Sequence, residues 1–112
     1  MEIDITAGLF DPALLDYSDA IITNANSYDG AWCYCGSFER IRFSVYADIL
    51  LHAHLEFSLN AADIDAISAT WVMDTGDAND YAVYGRYARI IVVNDIAGVD
   101  TTTTRIRMYG AR

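Results

Sequence analysis

The segment Ile49-Leu-Leu-His-Ala-His-Leu-Glu-Phe-Ser58 sets His52, His54 and Glu56 at alternate positions. Along an extended strand such positions share one face, with about 7 Å between neighbouring side chains. Two imidazoles and a carboxylate are the donors of a catalytic zinc or non-haem iron centre, which takes three protein ligands and keeps one position open. Strung along a single strand, the three would strain to reach one ion, and the chain has no third histidine. The segment reads instead as the polar side of an amphipathic strand whose apolar side is Leu51, Ala53, Leu55 and Phe57. No metal ligand is expected here.

Other reaction chemistries find little support. The chain contains no lysine, which removes Schiff-base formation and the lysine-bearing phosphate loop. No Gly-x-Ser-x-Gly elbow is present. The acid pairs Asp63/Asp65 and Asp77/Asp80 have the chemistry of glycosidase carboxylates, but 112 residues leave little room for a substrate cleft. Asp74-Thr-Gly-Asp-Ala-Asn-Asp80 is oxygen-rich without the spacing of an EF-hand. Cys33 and Cys35 are the only cysteines. A bridge between residues so close would be strained, and two thiolates fall short of a closed zinc site, so they read as small apolar side chains. The expectation is a protein that is not an enzyme, with no catalytic residue, metal or cofactor.

The arginines point to recognition. Arg40 and Arg42 share one face of their strand, as do Arg105 and Arg107 of theirs, with Tyr109 beyond them. Outward guanidinium pairs in a chain without lysine suit forked contact with carboxylates. Sixteen acids are available, on this chain or on copies of it, so pairing within the chain and pairing with a neighbour are both open. Eight tyrosines and two tryptophans add the residue types enriched at interfaces.

Composition limits the partners. A net charge of −9 opposes phosphate backbones, so nucleic acid and anionic membrane surfaces are excluded as direct partners. With 54% hydrophobic residues the chain can form a core, and its length suits one domain. Met-Glu-Ile-Asp-Ile at the start lacks the basic region of a signal peptide, and no apolar run approaches a membrane span, so synthesis in a cytoplasm is expected.

The elements that must position these residues have a period of two. Phe38–Ala47 alternates Ile41, Phe43, Val45 and Ala47 against Arg40, Arg42, Ser44 and Tyr46. The histidine segment follows after a very short link, which predicts a tight antiparallel hairpin. Further strands are expected at residues 20–23, 31–35, 68–73, 81–84, 87–94 and 101–109, with Ile90-Ile-Val-Val93 suited to a central strand covered on both faces. Residues 24–30 and 75–80 read as turns, and 59–67 as a break able to hold one helical turn. Residues 1–18 read as an N-terminal arm anchored by Leu9, Phe10, Leu14 and Leu15, with one or two helical turns opened by Asp11 and Pro12. Residues 19–112 then form a single all-β domain, an antiparallel β-sandwich of jelly-roll type with about seven or eight short strands.

Four segments follow one another in a suggestive order: Arg42-Phe-Ser-Val-Tyr-Ala-Asp48, Leu55-Glu-Phe-Ser58, Tyr87-Ala-Arg-Ile-Ile-Val-Val-Asn94 and Thr104-Arg-Ile-Arg-Met-Tyr109. This order resembles small β-sandwich domains in the structural proteins of tailed bacteriophages. After Ser58 the chain carries Leu-Asn-Ala-Ala-Asp where those domains often have an Asp-Gly-x-x-Trp turn. The resemblance implies a virion component, foremost a capsid decoration (cement) protein on the outside of the head. Its partners would be the major capsid protein and its own copies, most simply as a trimer. Binding only the assembled shell would stabilise that shell by mass action. The candidate contacts are Leu9, Phe10, Leu14 and Leu15 of the arm, and Arg40, Arg42, Arg105, Arg107 and Tyr109 of the strands. The alternative is a tail- or fibre-associated carbohydrate- or receptor-binding module that stacks sugars on Trp32, Tyr34 or Trp71.

Overall fold

Strict alternation in the middle of the chain produces two strands that each bury one whole side. In β4 (Arg40–Ala47) the residues Ile41, Phe43, Val45 and Ala47 are buried, and in β5 (Leu51–Ser58) Leu51, Ala53, Leu55 and Phe57 are completely so. A computed structural model describes residues 13–74, 76–95 and 98–112, and in it these two apolar sides face each other across a sandwich. The expected hairpin between them is therefore corrected. β4 pairs with β10 (Thr104–Ala111) and β8 (Asp77–Ala82), whereas β5 pairs with β9 (Tyr87–Val93), β6 (Ala66–Ile67) and β7 (Trp71–Met73). A two-residue hairpin needs positive φ, supplied by Gly, Asn or Asp, and none of the positive-φ residues falls at positions 48–50. The link instead turns a corner from one sheet to the other.

The remaining strands complete a jelly roll. One sheet has the order β1-β10-β4-β8, with β1 at Ala13–Ser18. The other runs β2-β9-β5-β6, with β2 at Ser27–Asp29 and β3 (Cys33–Tyr34) also on β9. Among the described residues every pairing is antiparallel, and successive long strands alternate between the sheets. β9 is central in its sheet, as expected, but fully covered on one face only: Ala88, Ile90 and Val92 are completely buried against the core. On the outer side Ile91 is buried and Tyr87, Arg89 and Val93 stay half-buried, because a two-layer sandwich puts nothing over that side. An aromatic row closes the sandwich beside β7 and β8: Phe43 lies 5.1 Å from Trp71, Trp71 5.6 Å from Tyr81, and Tyr81 6.2 Å from Phe57. The chain reaches β9 through Gly85, where a Cβ would sit 2.9 Å from the carbonyl oxygen of Ser58, so only glycine brings the two segments this close.

Several local expectations are corrected. Residues 13–18, read as part of an arm with helical turns, are strand β1 on β10; Leu9, Phe10, Asp11 and Pro12 lie outside the described residues. The segment 20–23 is not a strand. Its backbone is satisfied by a loop instead, with Ile22 N–H donating to Thr101 Oγ1 at 2.9 Å and Asn24 N–H to Asp100 Oδ1 at 2.8 Å. β2 arises in the turn-like stretch that follows. No helical turn forms in 59–67. Asn60 Oδ1 accepts from Ala62 N–H and Asp63 N–H, both at 2.9 Å, and Ala61 has φ of 61°. Side chains that satisfy the backbone locally outcompete a helix there. β8 likewise occupies most of the stretch read as a polar turn.

The corner after β4 is fastened by Asp48, whose carboxylate accepts from Thr102 N–H (2.9 Å), Thr102 Oγ1 (2.8 Å) and Thr103 N–H (3.2 Å). The Thr102 amide, then its hydroxyl and the Thr103 amide, hold this carboxyl down to about 2. Because the folded value lies below the roughly 3.9 of an unfolded aspartate, the stabilisation is present above pH 4 and lost as pH falls toward 2. The urea midpoint is expected to fall between pH 5 and pH 2 by more in the wild type than in Asp48→Asn, which cannot titrate. Equal slopes in the two proteins would contradict this role.

Candidate interaction face

Burying the odd-numbered residues of β4 and the even-numbered residues of β10 turns the others outward. Their register sets Tyr109 opposite Arg42, Arg107 opposite Ser44 and Arg105 opposite Tyr46. On one flank β1 places Leu14 beside Tyr109 and Tyr17 beside Arg107; on the other, β8 places Asp80 beside Arg42. Two arginine pairs far apart in sequence thus become neighbours on the outer face of the four-stranded sheet. Leu14, Arg40, Arg42, Arg105, Arg107 and Tyr109 all belong to this face. Leu15 does not: it is half-buried against the core.

Each guanidinium has its own setting. Arg40 grips Asp80 in a fork, Nε and Nη2 each 3.0 Å from a carboxylate oxygen. That bond pushes the Arg40 guanidinium up and the Asp80 carboxyl down. Arg107 reaches Asp19 at 3.2 Å and lies over Tyr17, 5.3 Å from its ring centre. Arg105 lies 4.9 Å over Tyr46. These ring contacts hold planar cations flat on the surface. Arg42 makes no ion pair among the described residues and borders an open groove of about 490 Å³, whose other walls include Ser44, Asn79, Asp80 and Tyr109. The face can bind carboxylates through oriented cations and pack against apolar atoms through Leu14 and the tyrosines.

The opposite face, on the second sheet, holds the histidine segment. His52 Nδ1 is 2.6 Å from Asp95 Oδ1, while His54 Nε2 is 2.9 Å from Glu56 Oε2, so the two imidazoles take different partners. Glu56 is only 7% exposed, unusual for a carboxylate on an outer face. Arg89 bonds it from the adjacent strand at 2.7 Å and lies 4.4 Å over the ring of Trp32. The described residues contain no group of three or more His, Cys, Asp or Glu side chains placed to hold a metal ion. Cys33 and Cys35 are free thiols; burial pushes both up, Cys35 to about 11, which suppresses the reactive thiolate. Of the three candidate stacking residues, Trp32 is half-buried under Arg89, Tyr34 is exposed, and Trp71 is packed in the aromatic row.

Sequence reasoning missed the pairing of Asp80 with Arg40, the place of Asn79 and Tyr17 on this side, and the Glu56–Arg89 pair. Asp80 and Asn79 lay in a stretch read as turn, and the last pair becomes visible only when Glu56 is known to sit opposite Arg89.

Comparison with known proteins shows the fold. In sequence the chain matches no protein-family profile and no curated protein. In structure it is similar to the PBSX exported protein XepA, with a TM-score of 0.72 and 18% identity over 90% of this chain. The chain spans 37% of that protein's length. It is also similar to the Yersinia pseudotuberculosis-derived mitogen, with a TM-score of 0.61 and 6% identity over 90% of this chain and 87% of that one. A third likeness is the family 29 carbohydrate-binding module CBM29_1 from Piromyces equi, with a TM-score of 0.52 and 14% identity over 93% and 81% of the two chains. At these identities the likeness is one of β-sandwich architecture.

Proposed function

We propose that the chain is a non-enzymatic structural protein of a bacteriophage particle. In its most concrete form it is a capsid decoration (cement) protein that docks on the assembled head through the outer face of the four-stranded sheet and bridges capsomer junctions. One observation carries the reading: Arg40, Arg42, Arg105 and Arg107 stand together on one face of a chain whose net charge is −9. Such a face meets the carboxylates of a neighbouring protein, while the acidic remainder keeps coated particles apart. Its Arg and Tyr content matches that of protein interfaces. The partners are the major capsid protein and further copies of this chain, most simply as a trimer, on the exterior of the virion. Quantitative mass spectrometry of purified particles tests this. The expected result is a copy number comparable to that of the shell subunits; absence, or a handful of copies, would overturn it.

A second reading, a tail- or fibre-associated carbohydrate-binding module, draws on Trp32 and the exposed Tyr34 beside Tyr87, their rings 5.8 Å apart. Glycan-array binding that disappears in Trp32→Ala is the result that would favour it.

A further inference from the structure

The four cations of the docking face are not equivalent. Arg40 is taken by Asp80, Arg107 by Asp19 and Tyr17, and Arg105 by the ring of Tyr46. Among the described residues of this face, Arg42 alone has neither a carboxylate bonded to its guanidinium nor a ring beneath it. Asp80 is its cross-strand neighbour, but both carboxylate oxygens of Asp80 are bonded by Arg40. Arg42 therefore keeps a full set of forked donors and stands at a groove of about 490 Å³. Tyr109 lies opposite it in the strand register, and Ser44 and Asn79 add uncharged hydrogen-bonding groups to the wall.

We propose that this groove is the specificity pocket of the docking face and that its occupant is an aspartate or glutamate side chain carried on a segment of the partner protein. The inference rests on the docking reading above and names the chemistry recognised at one point of that face. The carboxylate would take the fork of Arg42, its methylene groups would lie on Tyr109, and the partner's backbone would reach Ser44 and Asn79. Charge complementarity selects the occupant: Asp80 feels the charge of Arg42, but its oxygens are bonded by Arg40, so the Arg42 guanidinium has no carboxylate in its fork and attracts one further anion. The volume exceeds what one carboxylate fills, so flanking residues enter with it. A protein segment fits better than an acidic sugar because the groove continues into a surface of exposed Leu14, Tyr17 and Tyr46, which a single sugar would leave uncovered.

The probes are acetyl-glutamate amide, its neutral counterpart acetyl-glutamine amide, and glucuronate, each titrated into the full chain and followed by backbone amide NMR. Acetyl-glutamate amide is expected to shift the signals of Arg42, Ser44, Asn79 and Tyr109 while the glutamine compound leaves them in place. Arg42→Gln should weaken the response about tenfold or more, and Arg42→Lys should fail to restore it, because an ammonium lacks the fork. Equal responses to the two amino-acid probes, shifts centred elsewhere, or tighter binding of glucuronate would each overturn the proposal. The docking reading is separated by co-sedimentation with heads stripped of the protein. Wild-type chain that fails to sediment overturns docking, whatever the titrations show. Arg42→Gln that sediments like wild type, when reversal of Arg105 and Arg107 does not, overturns the pocket and leaves docking intact.

Discussion

Phe57→Ala is expected to lower the unfolding free energy by about 3–5 kcal/mol, the range for deleting a buried aromatic ring. Phe57 is fully buried, and its ring meets Tyr81 at 6.2 Å and Tyr84 at 6.1 Å. It points from β5 of one sheet toward the row that leads through Tyr81 to Trp71 and Phe43. Removing it takes away transfer free energy and leaves a hole that the neighbouring strands cannot close, because Gly85 is already at the limit of approach to Ser58. Small domains have only about 5–15 kcal/mol in total, so much of the margin would go. Urea titration measures the loss, with Phe57→Leu as the milder comparison. A loss under about 1 kcal/mol would mean that the second sheet does not depend on this row.

The largest functional effect is expected from reversing Arg105 and Arg107 together to glutamate. If the outer face of the four-stranded sheet meets acidic protein, the change replaces two attractions by two repulsions. Attachment to stripped heads should fall roughly a hundredfold or more, and the residual binding should lose its weakening by salt. Stability should change little, since both side chains lie on the surface and the Arg107–Asp19 pair is an exposed one. Arg86→Glu, on the connection between β8 and β9, places half of that charge change off this face and should attach normally. Heads that bind the double variant as well as the parent would show that this face does not dock.

Much of the architecture was readable because β4, β5, β9 and β10 present long apolar sides with a period of two, or apolar residues throughout. β1 escaped that test for a physical reason. Its register on β10 shifts between Leu14 and Asp16, which leaves Leu15 as an extra residue. Leu15 packs against the core and Asp16 sits opposite buried Met108, so two successive residues turn inward and the alternation that identifies a strand is broken. β8 escaped because it lies at the margin of its sheet with only modest burial, and its Asp77-Ala-Asn-Asp80 looks like a turn. The short link after β4 suggested a hairpin because local proximity is all that a link length reports. Facing apolar sides serve a sandwich equally well, and the bonds from Thr102 and Thr103 to Asp48 come from residues more than fifty positions away. The same limit applied to the interaction face. Each arginine pair was visible on its own strand, but their adjacency depends on β4 lying beside β10. The histidines gave the reverse lesson: His52 and His54 share a face, yet each takes a different carboxylate, Asp95 and Glu56.

The position of β10 has a consequence for when the protein becomes competent. It is the last of the described strands in sequence, yet it sits inside the four-stranded sheet and, among the described residues, is the sole ladder partner of β1 and one of two for β4. On a ribosome β1 therefore emerges early and waits, unpaired, for nearly ninety further residues of synthesis, and slow non-local closure follows. Until then Arg40 and Arg42 have no Arg105 or Arg107 beside them. A nascent chain accordingly carries no composite cationic surface, and if that face docks as proposed, topology alone holds back attachment until the sheet has closed.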